Sequence, residues 1–247
     1  MAVRPGRRRA SLDSRGGGFQ GQALLARLGS RGGRHPSGSP EAHRLPAAIH
    51  EPGANQPVIL CLSTSSPEVS LAIVREGEVV AHARRRAARG SGGVLLSLLE
   101  KALQDAGSAM ESIQLFVADT GPGGFTGVRV GVALAKAWAW SLGRPCAGVS
   151  AFDLIAPDRT VAVPIRRGLY VVRQPGEEPY RAERPPTTAI GYGADFETES
   201  HPDAAHCRHL LHLIQPVPAH RLLPAYHAAP SISAPKTPFG PPGGPRA

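Results

Sequence analysis

A chain of 247 residues with 41% hydrophobic content can bury a real core, and it contains no run of about 18 uninterrupted apolar residues that would cross a membrane as a helix. The net charge of +9 suggests a polyanionic partner, but residues 1–57 carry nine arginines against three acids, so +6 of the total lies there. The remainder is nearly neutral, which argues against direct nucleic-acid binding by a folded part, and the Arg-for-Lys, Gly and Pro bias is what a GC-rich coding sequence produces without selection for binding.

Residues 1–57 surround one short apolar patch, Leu24, Leu25 and Leu28, which is too little to offset the entropy of ordering. The expectation is a disordered basic extension. Its Arg-rich, acid-poor character is like that of a transit peptide, and an extension from an upstream start codon is the reading adopted. Folded sequence starts at Val58. Runs at 58–62, 69–74 and 78–82, separated by the turn residues Ser63 to Pro67 and Glu76-Gly77, predict three antiparallel strands. A helical period over 94–106 stops at Gly107, and 113–118 reads as a buried strand. Gly121 to Gly124 make a turn into a long helix over 126–142, ended by Gly143 and Pro145. Cys146–Val149 reads as a strand, and Ser150 can cap a helical turn through Ile155. This order predicts an α/β fold with a mixed sheet and flanking helices. Beyond it, 160–163 and 168–173 could pair as strands and 204–214 is helical by period. Nine prolines from Pro216 onward are too many for packed structure throughout. The expected organisation is a disordered extension at 1–57, a first lobe at 58–156, a reduced second lobe at 157–227 and a proline-rich tail at 228–247. Cys61, Cys146 and Cys207 are odd in number and far apart, which suits reduced thiols in a cytoplasm.

The most informative stretch is Asp119-Thr120-Gly121-Pro122-Gly123-Gly124-Phe125-Thr126-Gly127-Val128-Arg129-Val130-Gly131. It resembles the G-P-G-S-F-T-G-[LV]-R-[IV]-G signature of the TsaB (YeaZ) family, with Gly124 where Ser is usual. Residues 59–73 resemble the family's opening hairpin, 143–151 its L-G-x-P-x-x-G-V-S-[SA] segment, and Arg166-Arg167-Gly168-Leu169-Tyr170 its A-R-R-G-x-x-Y. The resemblance spans about 58–173, with an echo at 224–236. It implies an actin-like (ASKHA, ribonuclease H-like) fold of two related lobes. It also implies a cytoplasmic, non-catalytic subunit that supports a TsaD-like catalytic partner, is joined by a TsaE-like ATPase and meets tRNA only indirectly. No cofactor is implied for the isolated chain, since ATP and magnesium belong to the complex. A free-standing actin-like ATPase or small-molecule kinase is the alternative from a different class.

Residue chemistry bears on that choice. ATP-using members of the fold place an aspartate on the first hairpin to hold metal and nucleotide, and here the position is Ser63; a second acid expected before the A-R-R-G segment is Pro164. Asp119 reads as a strand-end polar residue. Gly121, Gly123 and Gly124 could cradle a phosphate, but a tight turn with Thr126 as N-cap is the simpler account, and Pro122 removes an amide such a cradle would use. His206, His209 and His212 are spaced by three near Cys207, but His212 drifts away from a straight α-helical row, and an exposed helical face is expected rather than a metal site. There is no H-E-x-x-H, hence no chemical basis for peptidase activity.

The helix over 94–106 presents an apolar arc of about 200°, twice the stripe of about 100° that covers a sheet, and the long helix is apolar nearly all round. The excess points to an interface. Leu95, Leu99, Leu103, Val128, Val132 and Ala135 are the expected partner-binding positions, for the TsaD-like subunit or for a second copy of the chain.

Overall fold

The computed structural model describes residues 57–87 and 91–227; the expectations for 1–56 and 228–247 fall outside them. Three strands open the fold, β1 (Ile59–Ser63), β2 (Glu68–Arg75) and β3 (Glu78–Arg86). β3 runs four residues beyond its predicted end because Ala81 and Ala83 keep alternating inward while Arg84 to Arg86 stay exposed. The turn between β2 and β3 has Glu76 and Gly77 both at positive φ, the two-residue geometry that matches strand twist.

Helix α1 (Ser91–Asp105), strand β4 (Leu115–Asp119), helix α2 (Phe125–Ser141), strand β5 (Cys146–Val149) and the short helix α3 (Ala151–Ile155) follow. Ser150 caps α3 as expected, its hydroxyl accepting from Phe152 N–H. Both long helices end alike. Ser108 N–H reaches back to Leu103 C=O and Gly107 N–H to Gln104 C=O after α1; Arg144 and Gly143 do the same to Ala139 and Trp140 after α2. Gly107 and Gly143 take the positive φ this cap requires.

The five strands form one sheet in the order β3-β2-β1-β4-β5, with β1 antiparallel to β2 and parallel to β4, and β4 parallel to β5. Alternation along the central strands divides the core. Leu60, Leu62, Phe116 and Ala118 face α1 and α2, whereas Ile59, Cys61, Leu115 and Val117 face the other side. Each buried Leu, Ile, Val or Phe among them contributes roughly 1.5–3 kcal/mol.

A smaller sheet, ordered β8-β7-β6-β9, makes the second lobe from β6 (Val161–Arg166), β7 (Leu169–Arg173), β8 (Tyr180–Ala182) and β9 (Ile190–Gly191). Arg173 pins it to α3, donating to Asp153 Oδ1 at 2.7 Å and to Ala156 C=O at 2.9 Å while its guanidinium lies over Phe152.

The expected boundary of the second lobe at residue 227 is wrong. Residues 203–227 return to the first lobe, because the sheet's second face needs cover that α1 and α2 cannot give. A 3₁₀ helix, Ala204–Leu213, places Ala204, Cys207 and Leu210 on that face, with Ile214 just past its end. Val217 then pairs with the free edge of β5 at Cys146, Leu222 packs toward α2, and Ala225 N–H bonds Thr120 C=O. The proline-rich segment is thus packed this far. No helix among the described residues is long and apolar enough to cross a membrane.

Candidate functional site

The turn that leaves β1, Ser63-Thr64-Ser65-Ser66, is buried, and each of its four side-chain hydroxyls is hydrogen-bonded. Ser63 Oγ and Ser65 Oγ donate to Asp119 Oδ2 at 2.6 and 2.5 Å, and Gly121 N–H donates to Oδ1 at 2.8 Å. Asp119, 1% exposed, therefore ties together the end of β1, the end of β4 and the motif loop. Burial pushes its carboxyl up from the usual range, and the three hydrogen bonds offset part of that rise. The residue standing where a metal-binding aspartate was looked for, Ser63, is one of Asp119's donors.

The motif glycines have a steric reason. Gly123, Gly127 and Gly131 recur every four residues along one ridge running into α2, and that ridge lies directly on Thr64 and Ser65. A Cβ at Gly127 would overlap the Thr64 carbonyl oxygen, one at Gly123 the Ser65 carbonyl, and one at Gly131 the Thr64 hydroxyl. Thr64 Oγ1 donates to Gly127 C=O at 2.7 Å across this contact. Two of the three glycine amides that a phosphate cradle would use are spent, Gly124 N–H on Ser65 C=O and Gly121 N–H on Asp119, and Pro122 has none to give. Thr126 is not the N-cap. Val128 N–H closes the first turn on Gly124 C=O, so the helix begins at Phe125 and the Thr126 side chain stays exposed in the first turn. Arg129 is exposed with its guanidinium 5.1 Å from the Phe125 ring centroid, and Phe125 in turn packs on Tyr226 at 5.2 Å.

Between the lobes lies a cleft of about 530 Å³. Thr64, Ser65 and Ser66 form its floor, Thr126 and Val130 of α2 one wall, and the β6–β7 hairpin with Arg166 and Arg167 the other. Tyr170 and Tyr192 line it from the second lobe; Tyr170 donates to Asp195 Oδ2 at 2.6 Å and Tyr192 to Ser65 C=O at 3.3 Å. Burial pushes both phenols up. Sequence reasoning missed Tyr192 and Asp195, which lie in a segment without period or motif.

The expected partner-binding positions are not on the surface. Leu95, Leu99, Val128, Val132 and Ala135 are buried in the chain's own core, and Leu103 is partly buried against it. These side chains were needed to cover the sheet, so the excess apolar surface lies elsewhere. On α2 it is Ala133, Ala137 and Trp140, the last 75% exposed, flanked by half-buried Leu134 and Trp138; on α1, Leu96 is half-buried.

The histidines are also placed differently. In a 3₁₀ helix residues three apart eclipse, so His206, His209 and His212 form one row rather than a drifting one. His206 Nδ1 is nevertheless within 2.6 Å of Leu154 C=O, Arg208 Nε bonds His209 Nε2, and no cluster of three metal-ligating side chains occurs among the described residues. Cys61, Cys146 and Cys207 are unpaired and buried, and burial pushes the Cys146 thiol up to about 11.

A 3-2-1-4-5 sheet opening on an antiparallel hairpin, a second smaller sheet and a cleft between the two define an actin-like, ribonuclease H-like fold. A crystal structure from Pseudomonas aeruginosa described as similar to peptidase YEAZ shares this fold with a TM-score of 0.58 at 21% identity, covering 69% of this chain and 99% of that one. Residues 83–162 match the family model described as TsaD, tRNA N6-adenosine threonylcarbamoyltransferase. The tRNA threonylcarbamoyladenosine biosynthesis protein TsaB of Bacillus subtilis is 34% identical over 98 residues, 40% of this chain and 43% of that protein. The Escherichia coli protein of the same name is 28% identical over 155 residues, 61% and 65% of the two chains. The chain is thus similar to proteins of the TsaB (YeaZ) family, and its match spans less than half the length of the Bacillus relative.

Proposed function

We propose that the chain takes part in tRNA threonylcarbamoyladenosine biosynthesis as a non-catalytic subunit that docks a TsaD-like catalytic partner, with a TsaE-like ATPase joining the complex. The observation that carries the non-catalytic part is the fate of the carboxylates. Asp119 is buried behind two serine hydroxyls, Ser63 and Pro164 stand at the positions where acids are expected, and among the described residues Asp195 is the one acid lining the cleft, with Tyr170 donating to it. A magnesium ion held with a nucleotide takes one or two carboxylates as well as the phosphates, and none here is free to serve. The docking part rests on the outer face of α2, where a tryptophan and two alanines are exposed on a helix whose other side is fully packed.

The test has two arms. Purified chain should show no magnesium-dependent ATP hydrolysis above background, and it should copurify with the TsaD-like protein of the same source. Turnover that disappears in Asp119→Ala would make the chain an enzyme, and a folded chain that never associates with the TsaD-like protein would end the partner assignment.

A further inference from the structure

Two of the three thiols share a face of the large sheet. Cys61 of β1 and Cys207 of the Ala204–Leu213 helix pack in one cluster, whereas Cys146 lies on the opposite side, under α1 and α2. The winding of the return segment brings the pair together. A 3₁₀ helix advances about 6 Å in three residues and eclipses them, and a strand advances about 6.6 Å in two, so the row Ala204, Cys207, Leu210 keeps step with one face of the sheet. Its register is set where Ala204 N–H donates to Ser70 Oγ at 2.9 Å, and its direction by Arg208, which meets Glu78 at 3.1 Å beside the far end of β2. Counted from Ser70, which pairs with Ser63, Cys207 falls at the level of the Cys61–Ala72 pair and Leu210 at that of Ile59 and Val74. The two thiols lie within hydrogen-bonding reach, and burial first, then this contact, pushes the Cys61 thiol up.

We propose that Cys61 and Cys207 are a redox pair, which hydrogen peroxide oxidises to a disulfide that fastens the return segment to the central strand. While the segment is seated the thiols are protected, since both residues are fully buried. Reaction therefore follows local opening of the helix, whose first turn is held by Ala204 N–H on Ser70 Oγ and Asp203 N–H on Leu154 C=O. In the open segment the Cys207 thiolate attacks a peroxide oxygen. The O–O bond breaks, hydroxide leaves and takes up the thiol's proton as water, and Cys207 becomes a sulfenic acid. As the segment reseats, the Cys61 sulfur attacks Cys207 Sγ, the S–O bond breaks, and the oxygen departs as a second water with the Cys61 proton. The two thiols lose two electrons, and one hydrogen peroxide is reduced to two waters. Cys146, with the sheet between it and the pair, takes no part. The bond lies across the sheet from α2, so it is independent of docking there.

The test treats the full chain with hydrogen peroxide, in buffer and in urea below the unfolding transition, and quenches with catalase. The chain is then unfolded, its remaining thiols are blocked with N-ethylmaleimide, and unreduced peptides are mapped by mass. Untreated chain should take the label at all three cysteines. Treated chain should take it at Cys146 alone and yield one cross-linked peptide pair joining Cys61 to Cys207, formed faster in urea. Cross-linking constrains the unfolded chain, so the melting temperature should rise by roughly 5 °C or more and return on reduction with dithiothreitol. Cys207→Ala leaves a small apolar residue like Ala204 in the same row, and peroxide should then give neither bond nor gain; Cys146→Ala should keep both. Each variant is compared with itself before and after oxidation, so a change in its starting stability does not obscure the result. A bond to Cys146, sulfinic acids on Cys61 and Cys207 in place of the bond, label at all three positions after treatment, or a bond without a rise in melting temperature would each overturn the assignment.

Discussion

With Ser63 Oγ, Ser65 Oγ and Gly121 N–H all donating to it, the Asp119 carboxylate is a knot between three chain segments rather than a reactive group. Asp119→Ala leaves these donors buried without an acceptor, at about 1–3 kcal/mol for each unmatched group, so a fall in unfolding free energy of about 3 kcal/mol or more is expected by urea denaturation. Asp119→Asn keeps an acceptor for Gly121 and should cost clearly less; equal losses would mean that the carboxylate's hydrogen bonds are not what holds the junction. Asp203 supplies the pH dependence. Burial works to raise its carboxyl, but the His82 ring at 2.8 Å and the Ala205 N–H outweigh burial and hold it below the usual range. A carboxyl lowered on folding stabilises the fold above its unfolded value, about 3.9, and loses that contribution as pH falls through its folded value. Wild type should therefore exceed Asp203→Asn in stability at pH 6, and the gap should close below about pH 4. A gap that does not change with pH would place the effect in the shape of the N-cap that Asp203 makes on the Ala204–Leu213 helix, not in its charge.

At the scale of elements, glycines in two helices should respond in opposite directions to the same substitution. Gly93 lies exposed in α1 with nothing within 4 Å of an added Cβ, so Gly93→Ala should stabilise by roughly 0.5–1 kcal/mol through helix propensity alone. Gly127→Ala puts the same atom against the Thr64 carbonyl, a backbone atom that cannot swing away, and should cost about 1–3 kcal/mol. Thermal melts of the two variants separate these signs. That contrast also shows what a sequence can and cannot disclose. Strands and helices were legible where burial and turn residues mark them: the apolar run through Ile59 to Leu62 and the stops at Gly107 and Gly143 fall as expected. The motif was legible as a signature, but its reason was not, because the group each glycine avoids lies some sixty residues earlier in the chain. Thr126 misled because a good capping side chain was present, while the loop's packing on Ser65 placed the cap at Gly124. The 3₁₀ winding of Ala204–Leu213 and its return to the first lobe were hidden for the same cause, since the apolar spacing fixes neither the pitch nor which sheet the face will cover.

For the whole molecule, the wide apolar arcs of α1 and α2 raised the question of which part of each faces out. Covering a five-stranded sheet claims Leu95, Leu99, Val128, Val132 and Ala135, so a charge at Leu99 would test the core and not a partner; Leu99→Asp should unfold the chain, as an unpaired carboxylate buried there has no compensation. Trp140 is the informative position. It is 75% exposed near the C-terminal end of α2, one turn from Ala137 and two from Ala133, and a large aromatic beside small residues is the usual composition of an anchor and its surround. In the free chain its removal costs little, within about 0.5 kcal/mol for a surface substitution, so the melting curve of Trp140→Ala should overlay that of wild type. In a complex that buries it, the loss should reach about 2 kcal/mol, or about 30-fold in dissociation constant for the TsaD-like subunit, with Ala133→Glu acting in the same direction by placing a charge in the contact. Because both variants keep the fold, any loss of binding belongs to the surface itself. Wild-type affinity in both would move the docking site off α2, and self-association lost in both, with TsaD-like binding unchanged, would make this face a contact between two copies of the chain.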